Sequence, residues 1–402
     1  MSFHPFQSLE QAPVDPIMGL TEMFNKETNP NKINLGIGVY LDDKGISPVL
    51  RAVKQAERML LEQENTKNYL SMSGRPEYAG HTQELLLGAG TEPQTSGRAV
   101  TMHTPGGTGA LRLGGDFLAA RFPEATLWVS DPTWANHMGV FGRAGMKVEK
   151  YPYLDMVKQE LRLDEWLAAL DKMADGDVVL IHGCCHNPSG LDPAPEQWHT
   201  LAQAFAKKKL VPFFDIAYQG LGTGVDEDAY GVRTFASKGL DMMVAGSFSK
   251  SFGLYRERVG YLTVVGGSAE EAQRTFSQLK LEARANYSNP PAHGGLIVET
   301  VLSTPELKTL WLTELEAMRM RIRNMRELFV DQLAELGVDR DFSFLKDQNG
   351  MFSFSGIAKP EVIQLREKYG IYMLENGRIN VAGITPDNSG YLCRAVADVL
   401  GK

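Results

Sequence analysis

Between residues 98 and 265, short apolar runs alternate with stretches of helical periodicity. The runs lie in RAVTMHTPG, TLWVSDPTW, DVVLIHGCC, LVPFFDIAY, DMMVAGSFS and RVGYLTVVG, and each ends in small or polar residues. Apolar runs of this length, bounded by turn residues, read as buried strands. Between the first two, Ala110, Leu113, Phe117 and Ala120 recur at helical spacing. Such alternation predicts an α/β fold, a largely parallel sheet with helices on both faces. Ligands of these sheets sit at the carboxyl ends of the strands, which is where the chemically unusual residues of this chain fall.

After Pro305 the period changes. Trp311, Leu315, Met318, Ile322, Met325, Phe329, Leu333 and Leu336 are spaced by threes and fours, and Gly337 stands where a helix C′ residue is expected. A helix of about 30 residues spans about 45 Å. It either lies along one large core or joins two domains, and the pattern fits both. Residues 338–402 mix strand-like MFSFSG and RINVAG with helical patterns and read as a small α+β unit.

Composition narrows the partners. A chain of 402 residues predicts two domains or one large α/β domain. With 41 basic and 49 acidic residues the net charge is −8, which disfavours nucleic acid or an anionic membrane as the main partner. Small anions are unaffected, because a local pair of arginines overrides a weak global field. MSFHPFQSLEQAPVDP has no basic region followed by an apolar one, so no secretory signal is expected. Nowhere do 18 apolar residues run together, so no membrane span is expected. Cys184, Cys185 and Cys393 are odd in number and two are adjacent. That suits reduced thiols in a cytoplasm better than a disulfide framework.

Four stretches carry candidate chemistry. HTPGGTGALRLGG places Gly106, Gly107 and Thr108 between a strand and a helix. Free N–H groups at a helix N-terminus, with a hydroxyl beside them, make an anion cradle, although a plain tight turn uses the same residues. In HGCCHNPSG, His182, Cys184, Cys185 and His186 all have ligand chemistry. Alternation along a strand keeps the four from converging, and no second cluster completes a tetrahedron, so no metal site is expected. Asn187 and Pro188 then mark a turn. In VPFFDIAYQG, Asp215 ends an apolar strand, with Tyr218 three residues on; a buried carboxylate there requires a partner. In SFSKSFGLYRERVG, Lys250 follows an apolar run among serines and a glycine, and Arg258 comes eight residues later. Burial and a nearby cation both make a lysine a better nucleophile. Singly these are a turn, a cap, an ion pair and a surface lysine. Jointly they are the inventory for pyridoxal phosphate: a phosphate cradle, a lysine, a carboxylate for the pyridine nitrogen and a donor to the ring oxygen.

With RANYSNPPAHG, NGMFSFSG and GRINVAG added, these motifs resemble the class I aspartate and aromatic aminotransferases, of the fold type I pyridoxal phosphate enzymes. The likeness runs from APVDPIMGL to ITPDN, nearly the whole chain. It implies a large domain over 48–317, with a mainly parallel seven-stranded sheet flanked by helices. It also implies a small α+β domain formed by 1–47, including an N-terminal arm, and 318–402. Lys250 would hold the cofactor and carry the proton, while Asp215 pairs with the pyridine nitrogen and His137 supports Asp215. Tyr218 and Asn187 would bond the ring oxygen and Trp134 would stack on the ring. Gly106, Gly107, Thr108, Ser247 and Arg258 would form the phosphate site, with Tyr69 reaching it from the second subunit of a homodimer. Arg378 would clamp the α-carboxylate, beside Gly38 and Asn187. Arg284 would cross the interface to the side-chain carboxylate.

The implied reaction is transamination between aspartate and 2-oxoglutarate, giving oxaloacetate and glutamate; the alternative is an aromatic aminotransferase. Val39, Ser47, Asn68, Thr108 and Asn289 are aspartate-like, whereas Leu41 and Ile46 are apolar where relatives decide how well aromatic side chains are accepted. Ser189 stands where the family usually has threonine, and YLSMSGRPEY departs from the usual loop. An amino-acid-binding module would not need Lys250 with Asp215. A catalytically silent homologue would be free to lose contacts that are all retained here.

Overall fold

The computed structural model describes residues 4, 6–13 and 16–401. Val14 and Asp15 of the APVDPIMGL motif, and residues 1–3 and 5 of the N-terminal arm, lie outside the described residues. Seven strands form the main sheet: β1 (Ala99–Pro105), β2 (Thr126–Asp131), β3 (Lys147–Pro152), β4 (Val178–His182), β5 (Val211–Ile216), β6 (Met242–Ser247) and β7 (Val259–Val265). Their order is β1-β7-β6-β5-β4-β2-β3. All neighbours pair in parallel except β7, which is antiparallel to both β1 and β6. Six of the strands are the apolar runs of the sequence. The seventh, the edge strand β3, has no apolar run because Lys147 and Lys150 are exposed along it, as suits a strand with one unpaired side.

Adjacent residues of β5 show why the central runs are apolar without alternation. Phe213 packs with Leu113 and Phe117 of the helix Gly106–Arg121, whereas Phe214 faces the opposite core with Phe205 and Phe235. Both faces are covered, so both sets of side chains must be apolar.

The helix after Pro305 runs from Pro305 to Glu335, and Trp311, Leu315, Met318, Ile322, Met325, Phe329 and Leu333 are all buried along it. Leu336 lies just past the end, and Gly337 takes the left-handed conformation, with φ of 70°. Its contacts run to two regions of the chain. Near its start the Trp311 indole donates to the Ser251 carbonyl (2.8 Å) and stacks on Phe252. Farther along, Arg321 donates to the Ile384 carbonyl (2.9 Å) and Arg326 to that of Gly350 (2.5 Å). One helix therefore lines the core and reaches from the sheet's loops to the C-terminal segments. There Phe352–Phe354 pairs with Arg378–Asn380, and Ile371–Tyr372 pairs with Ile33–Asn34, which brings the N-terminal segment alongside. Among the described residues, no helix is long and apolar enough to cross a membrane.

The sheet is tightest where β7 enters beside the ends of β1 and β6. A Cβ on Gly260 would lie 2.4 Å from the Gly106 carbonyl carbon and 2.7 Å from the Gly246 oxygen. Both neighbours are backbone and cannot swing aside. Gly260→Ala is therefore expected to destabilise the fold by about 3 kcal/mol, the upper range for overpacking, read as a lowered urea midpoint. An unchanged midpoint would show that the two strands can part at no cost.

Candidate active site

The carboxyl ends of β1, β4, β5 and β6 meet the entry to β7 around a cavity of about 230 Å³. Gly107 and Thr108 open the helix that follows β1 and line one wall with Ser247 and Arg258. The first N–H groups of a helix have no partner within it, and its positive end favours anions. Glycine is required at this corner. Gly106 has φ of 78°, and a Cβ there would lie 2.4 Å from Arg258 Nη2, while one on Gly107 would lie 3.1 Å from Ser247 Cβ. Arg258 reaches this position with φ of 56° and donates from Nη1 to the Tyr255 carbonyl (2.7 Å). The start of a helix, two hydroxyls and a guanidinium thus share one wall of the cavity.

Asp215 comes from β5 and lies in the wall beside Lys250 and Tyr218. Its Oδ2 is 2.9 Å from Nε2 of the fully buried His137, whose Nδ1 is 2.8 Å from Thr133 Oγ1. Burial alone would raise the Asp215 pKa, but His137, His182 and Lys250 together outweigh it and hold the carboxyl below its usual range. An ionised carboxylate only accepts hydrogen bonds, so His137 Nε2 carries the hydrogen between them. Lys250 follows β6, with Nζ 4.9 Å from the centre of the Tyr218 ring. Burial lowers its pKa to about 8; Arg258 adds to the shift and Asp215 opposes it. Burial also raises the Tyr218 phenol, which stays neutral.

Arg378 stands on the strand Arg378–Asn380, across the cavity from the sheet, and is almost fully buried. Its Nη2 donates to the Gly36 carbonyl (2.9 Å), Nη1 is 3.5 Å from Asn187 Oδ1, and the guanidinium lies over the Phe352 ring. Among the described residues no carboxylate pairs with it, and Nε has no partner. A buried guanidinium with a spare donor is suited to a carboxylate that binds.

Most of the residues singled out from the sequence thus share one cavity, and Gly38 and Trp134 line it as well. Tyr69 and Arg284 do not. Tyr69 is 92% exposed, and Arg284 lies on the surface bonded to Ser288. Their segments are joined, since Asn289 Nδ2 donates to the Leu70 carbonyl (2.6 Å). Strand alternation fails in HGCCHNPSG. β4 ends at His182 and Cys185 turns left-handed, with φ of 50°. His182 and His186 therefore meet, with ring centres 4.3 Å apart, while Cys184 and Cys185 come together on Asp228. The four do not form one cluster, and all three cysteines are free and buried. Ser249, Tyr255 and Phe352 line the cavity without having been singled out. Each lies inside a quoted motif, within five residues of a named one or directly in NGMFSFSG, and that position was the available signal.

Residues 30–396 match the family model for aminotransferase class I and II. The chain is 53% identical to an aspartate aminotransferase of Salmonella typhi and 52% identical to one of Escherichia coli, in each case over 98% of this chain and 100% of the relative. The crystal structure of an aromatic-amino-acid aminotransferase from Burkholderia pseudomallei, covalently bound to pyridoxal phosphate, superposes with a TM-score of 0.97 at 46% identity. That alignment covers 99% of this chain and 100% of the other. With this cavity at the strand ends and likeness along its whole length, the chain belongs to the class I and II aminotransferases.

Proposed function

We propose that this protein holds pyridoxal phosphate in the cavity and exchanges the amino group between L-aspartate and 2-oxoglutarate, with some activity on aromatic amino acids. The observation that carries the reading is that Lys250, Asp215 and Arg378, with its spare Nε donor, share one cavity with Gly107 and Thr108 at the helix start. When bound, the cofactor supplies an electron sink for the charge left as the substrate's Cα–H bond breaks. The glycine corner, Thr108, Ser247 and Arg258 hold its phosphate. The ionised Asp215, fixed by His137, favours a protonated pyridine nitrogen. Trp134 would lie against the ring, and Asn187 and Tyr218 would donate to its oxygen. Lys250 Nζ would hold the cofactor and serve as the carrier of the Cα proton; with a pKa near 8, about a tenth of it is neutral at pH 7. Arg378, beside Gly38, holds the α-carboxylate.

Two residues call for a second copy of the chain. Tyr69 and Arg284 sit together on the surface, away from their own cavity. In a homodimer they serve the neighbouring one, Tyr69 at the phosphate and Arg284 at the distal carboxylate. The large domain is 48–317, and the small domain combines 1–47 with 318–402. Three buried thiols suit a cytoplasmic setting. An apolar Leu41, three residues after Gly38 in the sequence, supports aromatic turnover, as does the likeness to an aromatic-amino-acid aminotransferase.

The electrostatic placing of Lys250 is tested in the cofactor-free protein by the pH dependence of its acylation. The Asp215 carboxylate stabilises the ammonium form, so Asp215→Ala is expected to move the midpoint below about 8. Arg258 repels the ammonium, so Arg258→Ala is expected to move it up. Shifts of the same sign would refute the arrangement.

Lys250→Ala is expected to fold and bind cofactor noncovalently while losing at least about a hundredfold in turnover, as a proton carrier is lost. Turnover within tenfold of the parent would remove Lys250 from the chemistry.

The two arginines separate by substrate. Arg284→Ala is expected to cost aspartate at least about tenfold in kcat/KM, since a charge-assisted contact contributes about 1.5–3 kcal/mol, and to spare phenylalanine. Arg378→Ala is expected to penalise both, because every amino acid has an α-carboxylate. Equal losses for aspartate and phenylalanine in Arg284→Ala would reject this division.

A further inference from the structure

Tyr255 lies on the loop between Lys250 and Arg258 and lines the cavity, yet the chemistry above leaves it without a role. It makes two hydrogen bonds in opposite directions. Its carbonyl accepts from Arg258 Nη1 at 2.7 Å, which ties it to the cradle. Its hydroxyl oxygen accepts the backbone N–H of Tyr40 at 2.8 Å, which ties it to the segment that carries Gly38.

That segment is held mainly from the other side. Asn380 Nδ2 donates to the carbonyls of Ile37 and Val39, each at 2.8 Å, and Arg378 Nη2 donates to that of Gly36. Arg321 Nη2 donates to the Asp42 carbonyl at 3.1 Å. These contacts all use carbonyl oxygens and all come from the long helix or the C-terminal strand. The Tyr40 amide instead turns to the lysine loop. Tyr40 is buried, and a buried amide that loses its acceptor carries the full cost of its desolvation.

We infer that Tyr255 is a positioning residue that couples the phosphate side of the cavity to the substrate side, setting Gly38 against Arg258 through the Tyr40 amide. The inference rests on the functional reading above, in which Arg258 meets the phosphate and Gly38 the substrate. Burial raises the Tyr255 phenol to about 12, so the hydroxyl keeps its proton across the physiological range and the link is insensitive to pH there.

The test is Tyr255→Phe, which keeps the ring and removes only the oxygen. Amide hydrogen exchange is followed in both the cofactor-free protein and the holoenzyme loaded with pyridoxal phosphate. Exchange at Tyr40 is expected to quicken by about tenfold or more, the scale of one buried hydrogen bond. Amides of β5 should keep the parent's protection, which shows an intact fold. In the holoenzyme the KM values for aspartate and 2-oxoglutarate are expected to rise at least about fivefold, with a smaller change in kcat, the pattern of lost binding rather than lost chemistry. Unchanged exchange at Tyr40 overturns the inference, whatever the kinetics. Faster exchange with unchanged KM overturns it too, because Tyr255 would then only support the chain locally. Should the parent enzyme fail to transaminate at all, the functional reading falls, while the exchange measurement still decides whether Tyr255 holds the Tyr40 amide.

Discussion

An ionised carboxylate inside a protein must be matched by its surroundings, and the pairing of Asp215 with His137 is the match on which this site depends. Burial opposes the charge; the imidazole hydrogen bond and the nearby cation restore it. The pair needs a strand to deliver Asp215 and a helix beginning at Asn136 to deliver His137, and Thr133 fixes the far side of the ring. Lys250 in turn owes part of its remaining basicity to the same carboxylate. Moving Asp215 by one residue would place it on the opposite face of the sheet, among the phenylalanines, where no partner exists to keep it charged.

The other charges follow a complementary rule. Arg378 and Arg258 face the cavity with no carboxylate partner among the described residues, one buried over Phe352 and the other beside the start of a helix. Guanidinium groups tolerate this because they remain charged and spread their charge over a plane. Asp215 offers a negative charge between them. The cavity thus carries charged groups at Arg378, Arg258, Asp215 and Lys250, further polar groups at Thr108, Asn187, Ser247 and Ser249, and aromatic faces at Trp134, Tyr218 and Phe352. That is a pattern for a flat aromatic ligand with anionic ends.

Much of this was legible in the sequence because chemistry and apolar runs fall in register. The six runs became six strands, and residues at the ends of three of them, His182, Asp215 and Ser247, became part of the wall of the cavity. What escaped did so for physical reasons. β3 is an edge with lysines, so it carries no apolar run. His182 and His186 meet because the chain leaves the strand conformation at Gly183 and turns left-handed at Cys185, which periodicity does not register. Tyr255 acts through one carbonyl and one hydroxyl, and its backbone partner at Tyr40 lies 215 residues away.

The long helix has a mechanical consequence. Trp311 grips the peptide next to Lys250, and Arg326 grips Gly350, beside the strand that pairs with Arg378. Fifteen residues separate the two grips, a lever arm of about 22 Å at 1.5 Å per residue. A bend of about 5° between them swings the far end by about 2 Å, which is enough to make or break a hydrogen bond. The straightness of this one helix thus bears on the spacing between the amine's loop and the guanidinium's strand, alongside the direct contact of Arg378 with Asn187.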